Sequence, residues 1–189
     1  MDVSEYERNL ERERARKDEF FARYPSSPIP SEDRSKFKGL DYFSPDQNYR
    51  FELALQEHQD KEVVRMAYTR GEEQEFIRWG EFRFTIRGRE QTLQAYKRDS
   101  EEEKLFILFK DKTSGKETYG AGRYLDLDAE TDKTPDGNWI LDFNRAYNPW
   151  CVYSEYYTCP FVPPENWLDI PVFAGEKNYF LKGEKSLTC

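Results

Sequence analysis

Cysteine, histidine and methionine are scarce: three, one and two in 189 residues. Three cysteines, one of them the terminal Cys189, do not make the paired framework of a small secreted domain. The single histidine, His58, supports no Ser-His-Asp triad and lies in a polar strand end, where a surface role is expected. Long apolar runs are missing too. None approaches the roughly 20 residues that span a bilayer, and the opening MDVSEYERNLERERARKDEFF lacks the apolar core of a secretory signal. Positive charge is not in surplus: 29 Lys and Arg stand against 37 Asp and Glu, for a net charge of -8. A nucleic-acid partner demands a basic face, so neither nucleic acid nor an anionic membrane is expected, and the chain reads as soluble and cytoplasmic.

Charge and aromatic rings are plentiful. Charged residues make up 35% of the chain and aromatics 16%, with a mean hydropathy of -0.99. Disordered chains carry few aromatics, so a folded core built from Phe, Tyr and Trp is expected. The length suits one domain that needs no staples.

Four regions follow from the patterning: an amphipathic N-terminal helix (1–24), a proline-containing connector (25–47), an antiparallel β domain (48–178) and a tail (179–189). In the helix, Val3, Tyr6, Leu10, Phe20 and Tyr24 make an apolar stripe interrupted by Glu13 and Lys17. Only its two ends are expected to dock, leaving the ERERARK stretch as a solvated face. YPSSPIPSEDR then forces an extended path, with Gly39 as the stop of a short turn. From residue 48 the period becomes two. Segments 48–57, 62–70, 73–79, 81–88 and 90–98 alternate; in EFRFTIRG, Phe82, Phe84 and Ile86 face one way and Arg83, Thr85 and Arg87 the other. KLFILFKD (104–111) is a more buried strand. GRYLDLD (122–128) and NWILDFN (138–144) flank TPDGN as a hairpin. The last candidate strand, 167–177, carries Pro171, which points to an edge or a bulge. The fold class is mainly β: an antiparallel barrel-like or strongly bent sandwich of about nine strands, with the helix packed against it.

Familiar ligand motifs fail in detail. Gly120-Ala121-Gly122 lacks a third glycine and precedes a strand, not a helix. In TSGKET no earlier glycine is spaced for a phosphate loop. Asp126, Asp128, Glu130 and Asp132 space like a calcium loop, but Thr131 and Gly137 stand where Gly and Glu are required. Cys151, Cys159, Cys189 and His58 match no zinc spacing. No metal or cofactor is therefore expected, and Cys151 and Cys159 read as buried thiols, with a disulfide or redox pair as the alternative.

The polar aromatic stretch LDFNRAYNPWCVYSEYYTCP (141–160) is the remaining candidate. With the strand taken to lie beside it, it offers Tyr119, Arg123, Tyr124, Asn144, Arg145 and Tyr147 as a site for a small polar or anionic ligand, the arginine forks holding a carboxylate or phosphate. Internal bracing is the commoner use of such arginines, since a long proline-rich loop must be tied down, and Arg145 could serve it through Asp142 or Glu165. A hydrolase-like or isomerase-like alternative uses Asp142 or Glu165 as base with Arg145 as oxyanion support. A third reading makes the N-terminal helix a docking module. The sequence leaves the oligomeric state open.

KDEFF (17–21), SSPIPSEDRSKFKGLDYF (26–43), YRFE (49–52), DKTSGKETYGAGRYLDL (111–127), LDFNRAYNPWCVY (141–153) and CPFVPPENWLDIPVFAGEK (159–177) resemble the bacterial and archaeal domain-of-unknown-function family 1684. The resemblance runs from about residue 15 to 178. It implies that 111–127 and 141–166 form one unit, and it brings no reaction, cofactor or catalytic residue.

Overall fold

The computed structural model describes residues 2–180. One helix, α1 (Val3–Arg23), precedes seven strands: β1 (Arg50–Leu53), β2 (Gln56–Ala67), β3 (Glu73–Ile86), β4 (Arg89–Lys97), β5 (Lys104–Phe109), β6 (Arg123–Asp128) and β7 (Trp139–Asp142). β2-β3-β4-β5-β6 form an antiparallel meander, and β1 and β7 form a separate two-stranded ribbon. Among the described residues the sheets do not close into a barrel, and the expected nine strands become seven. Two of the expected strands, 73–79 and 81–88, are one strand carrying a bulge at Trp79, where Arg78 opposes Tyr96 but Gly80 opposes Ala95. A bulge adds one residue and shifts the alternation by one, which in sequence looks like a strand break.

Alternation in β3 falls as the pattern predicts: Phe82, Phe84 and Ile86 are buried, Arg83 and Thr85 exposed. These rings and methyls meet Leu93, Leu105, Ile107, Phe109, Leu141 and Phe143 in the main core between meander and ribbon. β5 is buried on both faces, which is why it reads as a continuous apolar run. Its odd positions enter the main core. Phe106 and Leu108 enter a second core with Met66, Phe76, Tyr96, Tyr124, Cys159 and Val162. The segment 147–162 thus covers the outer face of the meander.

TPDGN does turn the chain, with Thr134 N–H bonded to Asn138 O at 2.7 Å. It does not join paired strands. β6 pairs with β5, and β7 with β1. The free edge of β6 is taken by Tyr147 instead, which exchanges both backbone hydrogen bonds with Tyr124 at 2.9 and 3.0 Å. The expected strand at 167–177 is likewise an extended segment without a ladder. It bonds the chain after β5 through Leu168 N–H to Lys110 O (2.8 Å) and Lys112 N–H to Ile170 O (3.0 Å), then passes Pro171, which has no N–H to give.

The docked face of α1 differs most from expectation. Val3 and Tyr24 are exposed, whereas Tyr6, Leu10 and Phe21 are buried. The charged middle is part of the interface. The Arg14 guanidinium donates to Phe43 O and Asn144 O at 2.9 and 3.2 Å and stacks over Tyr42 at 4.4 Å. Lys17 pairs with the buried Glu176, and Asp18 accepts the Leu40 N–H at 3.0 Å. Helical spacing places these polar groups between the apolar anchors on one face. They dock by hydrogen bonding, which hydrophobic periodicity cannot register.

Candidate functional site

The six predicted residues do not share one cavity. Arg123 opens β6, but its side chain is fully buried. It donates to Asp111 Oδ2 at 3.0 Å, to Val172 O at 2.9 Å, to Glu176 O at 3.1 Å and to Ala174 O. Alternate carbonyls of an extended segment point the same way, so one guanidinium replaces the strand that 172–176 lacks. Asp111 is committed in turn: its Oδ1 accepts from Thr113 N–H and Oγ1 and from Val172 N–H at 2.8, 2.6 and 3.1 Å. Asn144 is also enclosed. Its amide clamps Asp46 by accepting from Asp46 N–H (2.9 Å) and donating to Asp46 O (2.8 Å). These two residues brace the fold and face no cavity.

Arg145 lines the larger cavity, about 620 Å³, between α1 and the β1–β7 ribbon. Its guanidinium bridges Glu13 at 3.0 Å and Asp132 at 2.9 Å. Burial alone would lower it, but Glu13, Asp142 and Asp132 hold it above the usual arginine value. The floor is Asp142, whose Oδ2 accepts from Tyr6 Oη at 2.8 Å and whose Oδ1 accepts from Asn144 N–H and Nδ2 at 3.0 and 2.9 Å. Burial and then the Asp142 charge push the Tyr6 phenol upward, so it stays a donor. Arg50, opposite Asp142 in the ribbon, and Arg12 and Arg16 of α1 complete the basic wall. Arg12 bonds Asn9. Among the described residues, neither the Arg16 nor the Arg50 side chain makes a hydrogen bond or an ion pair.

Tyr124 and Tyr147 line a second cavity of about 440 Å³ on the outer face of the meander. Their rings meet edge to face at 6.0 Å. Tyr124 donates to Pro160 O, and Tyr147 to Asp126 Oδ2 at 2.5 Å. Loss of hydration beside the cavity raises the Asp126 carboxyl against the lowering effect of that bond. Arg98, Glu102 and Lys104 stand around this cavity, and Cys159 lines it. Tyr119 lies behind, hydrogen-bonded to Cys151.

The two carboxylates considered as bases are both engaged. Asp142 is held as above, without Arg145 as a hydrogen-bond partner. Glu165 accepts from Tyr96 Oη at 3.0 Å and pairs with Arg78 at 3.5 Å on the surface. His58 bonds Gln94 at 2.7 Å. Sequence reasoning missed Tyr6, Arg16 and Arg50. The signal was there in Asn9, Arg12, Glu13, Arg16 and Glu19, which repeat at three and four and so share one helix face; with no apolar residue among them, they read as solvated.

A family model described as a protein of unknown function (DUF1684) matches residues 35–177. The chain belongs to that family. Among solved structures it is similar to the uncharacterised protein from gene locus rrnAC0354 of Haloarcula marismortui, determined by solution NMR. The two are 37% identical with a TM-score of 0.70, over 93% of this chain and 96% of that one. The chain matches no curated protein. No helix among the described residues is long and apolar enough to cross a membrane.

Proposed function

We propose that the protein binds a small anionic ligand, a carboxylate or phosphate compound, in the cleft between α1 and the β1–β7 ribbon. The observation that carries this reading is the pair Arg16 and Arg50, which line the cleft and have no anionic partner among the described residues, in a chain of net charge -8. Carboxylates are abundant in an acidic protein and also line this cleft, and Arg16 on α1 and Arg50 on the ribbon, each without an ion pair of its own, are available to a ligand. A guanidinium fork suits a carboxylate or phosphate oxygen pair. Arg145, held by Glu13 and Asp132, would present a third guanidinium already oriented, and Tyr6 an aromatic edge. Of the six residues expected from sequence, Arg145 is the one this reading keeps; Arg16 and Arg50 take the place of Arg123. Such a binder would work in the cytoplasm.

The test is isothermal titration with citrate and inorganic phosphate against the full chain and its Arg16→Gln and Arg50→Gln variants. Each substitution is expected to weaken binding about tenfold or more, since a charge-assisted hydrogen bond contributes on the order of 1.5–3 kcal/mol. Thermal stability should hardly change, because neither side chain braces the fold. Unchanged affinity in both variants, or no binding of either anion by the parent, refutes the reading.

A further inference from the structure

The outer cavity holds chemistry that the anion cleft does not use. Cys159 lines it, and its backbone is pinned to the end of β2. Its N–H donates to Thr69 Oγ1 at 3.2 Å, and its carbonyl accepts the Thr69 N–H at 3.1 Å. Its sulfur accepts the Cys151 N–H at 3.4 Å and also receives the Trp150 N–H and the Cys151 thiol. Cys151 sits behind it, half-buried in the turn Trp150–Val152, with Tyr119 hydrogen-bonded to its sulfur. We propose that Cys159 and Cys151 form a dithiol–disulfide redox site that takes a low-molecular-weight disulfide in the outer cavity, with Cys159 attacking and Cys151 resolving.

Three observations agree on this assignment. The Cys151 nitrogen lies 3.4 Å from the Cys159 sulfur, which places the two residues side by side, the first requirement of a disulfide. The pair is also asymmetric. Hydrogen bonds from Cys151 and Trp150 lower the Cys159 thiol, whereas its hydrogen bond to Cys159 and burial push Cys151 up. Cys159, which lines the cavity, is therefore the thiol that ionises more readily, and the thiolate is the nucleophile. Finally, the cavity of about 440 Å³ has room for a small molecule beside that sulfur, walled by Phe106, Trp150 and Tyr157. The phenols of Tyr68, Tyr124 and Tyr147 also face Cys159, and burial raises all three, so they remain neutral there. Across the cavity, Arg98 and Lys104 offset Glu102 and Asp126 in charge.

The chemistry balances without any further reagent. The Cys159 thiolate attacks one sulfur of R–S–S–R, forming Cys159–S–S–R and expelling R–S⁻. Cys151 then gives its proton to the expelled R–S⁻ and attacks the Cys159 sulfur, closing the intramolecular disulfide and releasing the second R–S⁻, which takes a proton from water. The protein dithiol is oxidised by two electrons, and one small disulfide is reduced to two thiols.

The experiment uses the full chain with Cys189→Ser, oxidised glutathione as the probe, and peptide mapping by mass spectrometry. The expected product is the Cys151–Cys159 cross-link with release of reduced glutathione. Adding Cys151→Ser should trap glutathione on Cys159; adding Cys159→Ser should leave Cys151 unmodified. In the Cys189→Ser parent, iodoacetamide should alkylate Cys159 at least about tenfold faster than Cys151 at neutral pH, with a rate that levels off at a lower pH than that of an ordinary thiol. The parent's own cross-link keeps the test valid if a second substitution disturbs folding. Failure to form the cross-link, or modification of Cys151 as fast as Cys159, overturns the proposal. The anion cleft lies elsewhere, so neither result bears on it.

Discussion

Replacing Arg123 with lysine keeps the charge but removes the planar fork, and so isolates what that fork contributes. Arg123 reaches four acceptors: Asp111 Oδ2 and the carbonyls of Val172, Ala174 and Glu176. It stacks over Phe109 at 5.2 Å, and its side chain is 0% exposed, that of Asp111 1%. A lysine ammonium is a point donor on a shorter reach. It can keep Asp111 and about one carbonyl, which leaves about two carbonyls buried without a donor. Each such orphan costs about 1–3 kcal/mol, so Arg123→Lys should lose about 2–6 kcal/mol. For a chain of this size that corresponds to a melting point lower by about 4–24 °C. Arg123→Ala would add an unpaired buried carboxylate at about 3–5 kcal/mol, enough to consume most of a typical stability of about 5–15 kcal/mol. The assay is urea unfolding followed by tryptophan fluorescence, with the midpoint falling and the slope held. A loss below about 0.5 kcal/mol for the lysine variant would refute the view that one guanidinium stands in for a strand.

Two further outcomes follow from local geometry. Gly175 has φ 78°, and a Cβ there would meet Ala146 O at 2.6 Å and Phe143 O at 2.7 Å, while Gly71 has φ 87° and open space. Calorimetry should therefore show Gly71→Ala costing about 1–2 kcal/mol, the backbone term alone, and Gly175→Ala distinctly more, about 3 kcal/mol or above; equal costs would refute the close approach. Tyr6→Phe removes a 2.8 Å hydrogen bond to the buried Asp142 carboxylate and should cost about 1.5–3 kcal/mol. Limited proteolysis should then cleave within α1 sooner than in the parent; an unchanged pattern would mean that the bond does not hold the helix.

The candidate site was legible in parts. Arg145, Tyr124 and Tyr147 each line a cavity, but two different ones, because β6 and β7 turned out not to be hairpin partners. Reading 122–128 and 138–144 as one hairpin put Arg123 beside Arg145. The register instead sends β7 to β1 and turns Arg123 into the interior. A buried arginine with four backbone and carboxylate acceptors carries no sequence mark to distinguish it from a ligand-binding one. The acceptors at 111, 172, 174 and 176 lie far from it along the chain.

Local patterning alone determined several things: a helix at the start, strands between residues 50 and 97, a doubly buried strand at 104–109, and the turn at TPDGN. These follow from side-chain period and backbone preference, which act over a few residues. Tertiary structure decided which strands pair, that 73–86 is one bulged strand, and that the charged middle of α1 docks. It also decided that 167–177 is held by a guanidinium, and that Cys151 lies against Cys159, which lines a cavity. Each of these depends on hydrogen-bond partners far apart in sequence. A polar group looks the same in sequence whether water or a distant carbonyl satisfies it, and only the folded chain brings the carbonyl within reach.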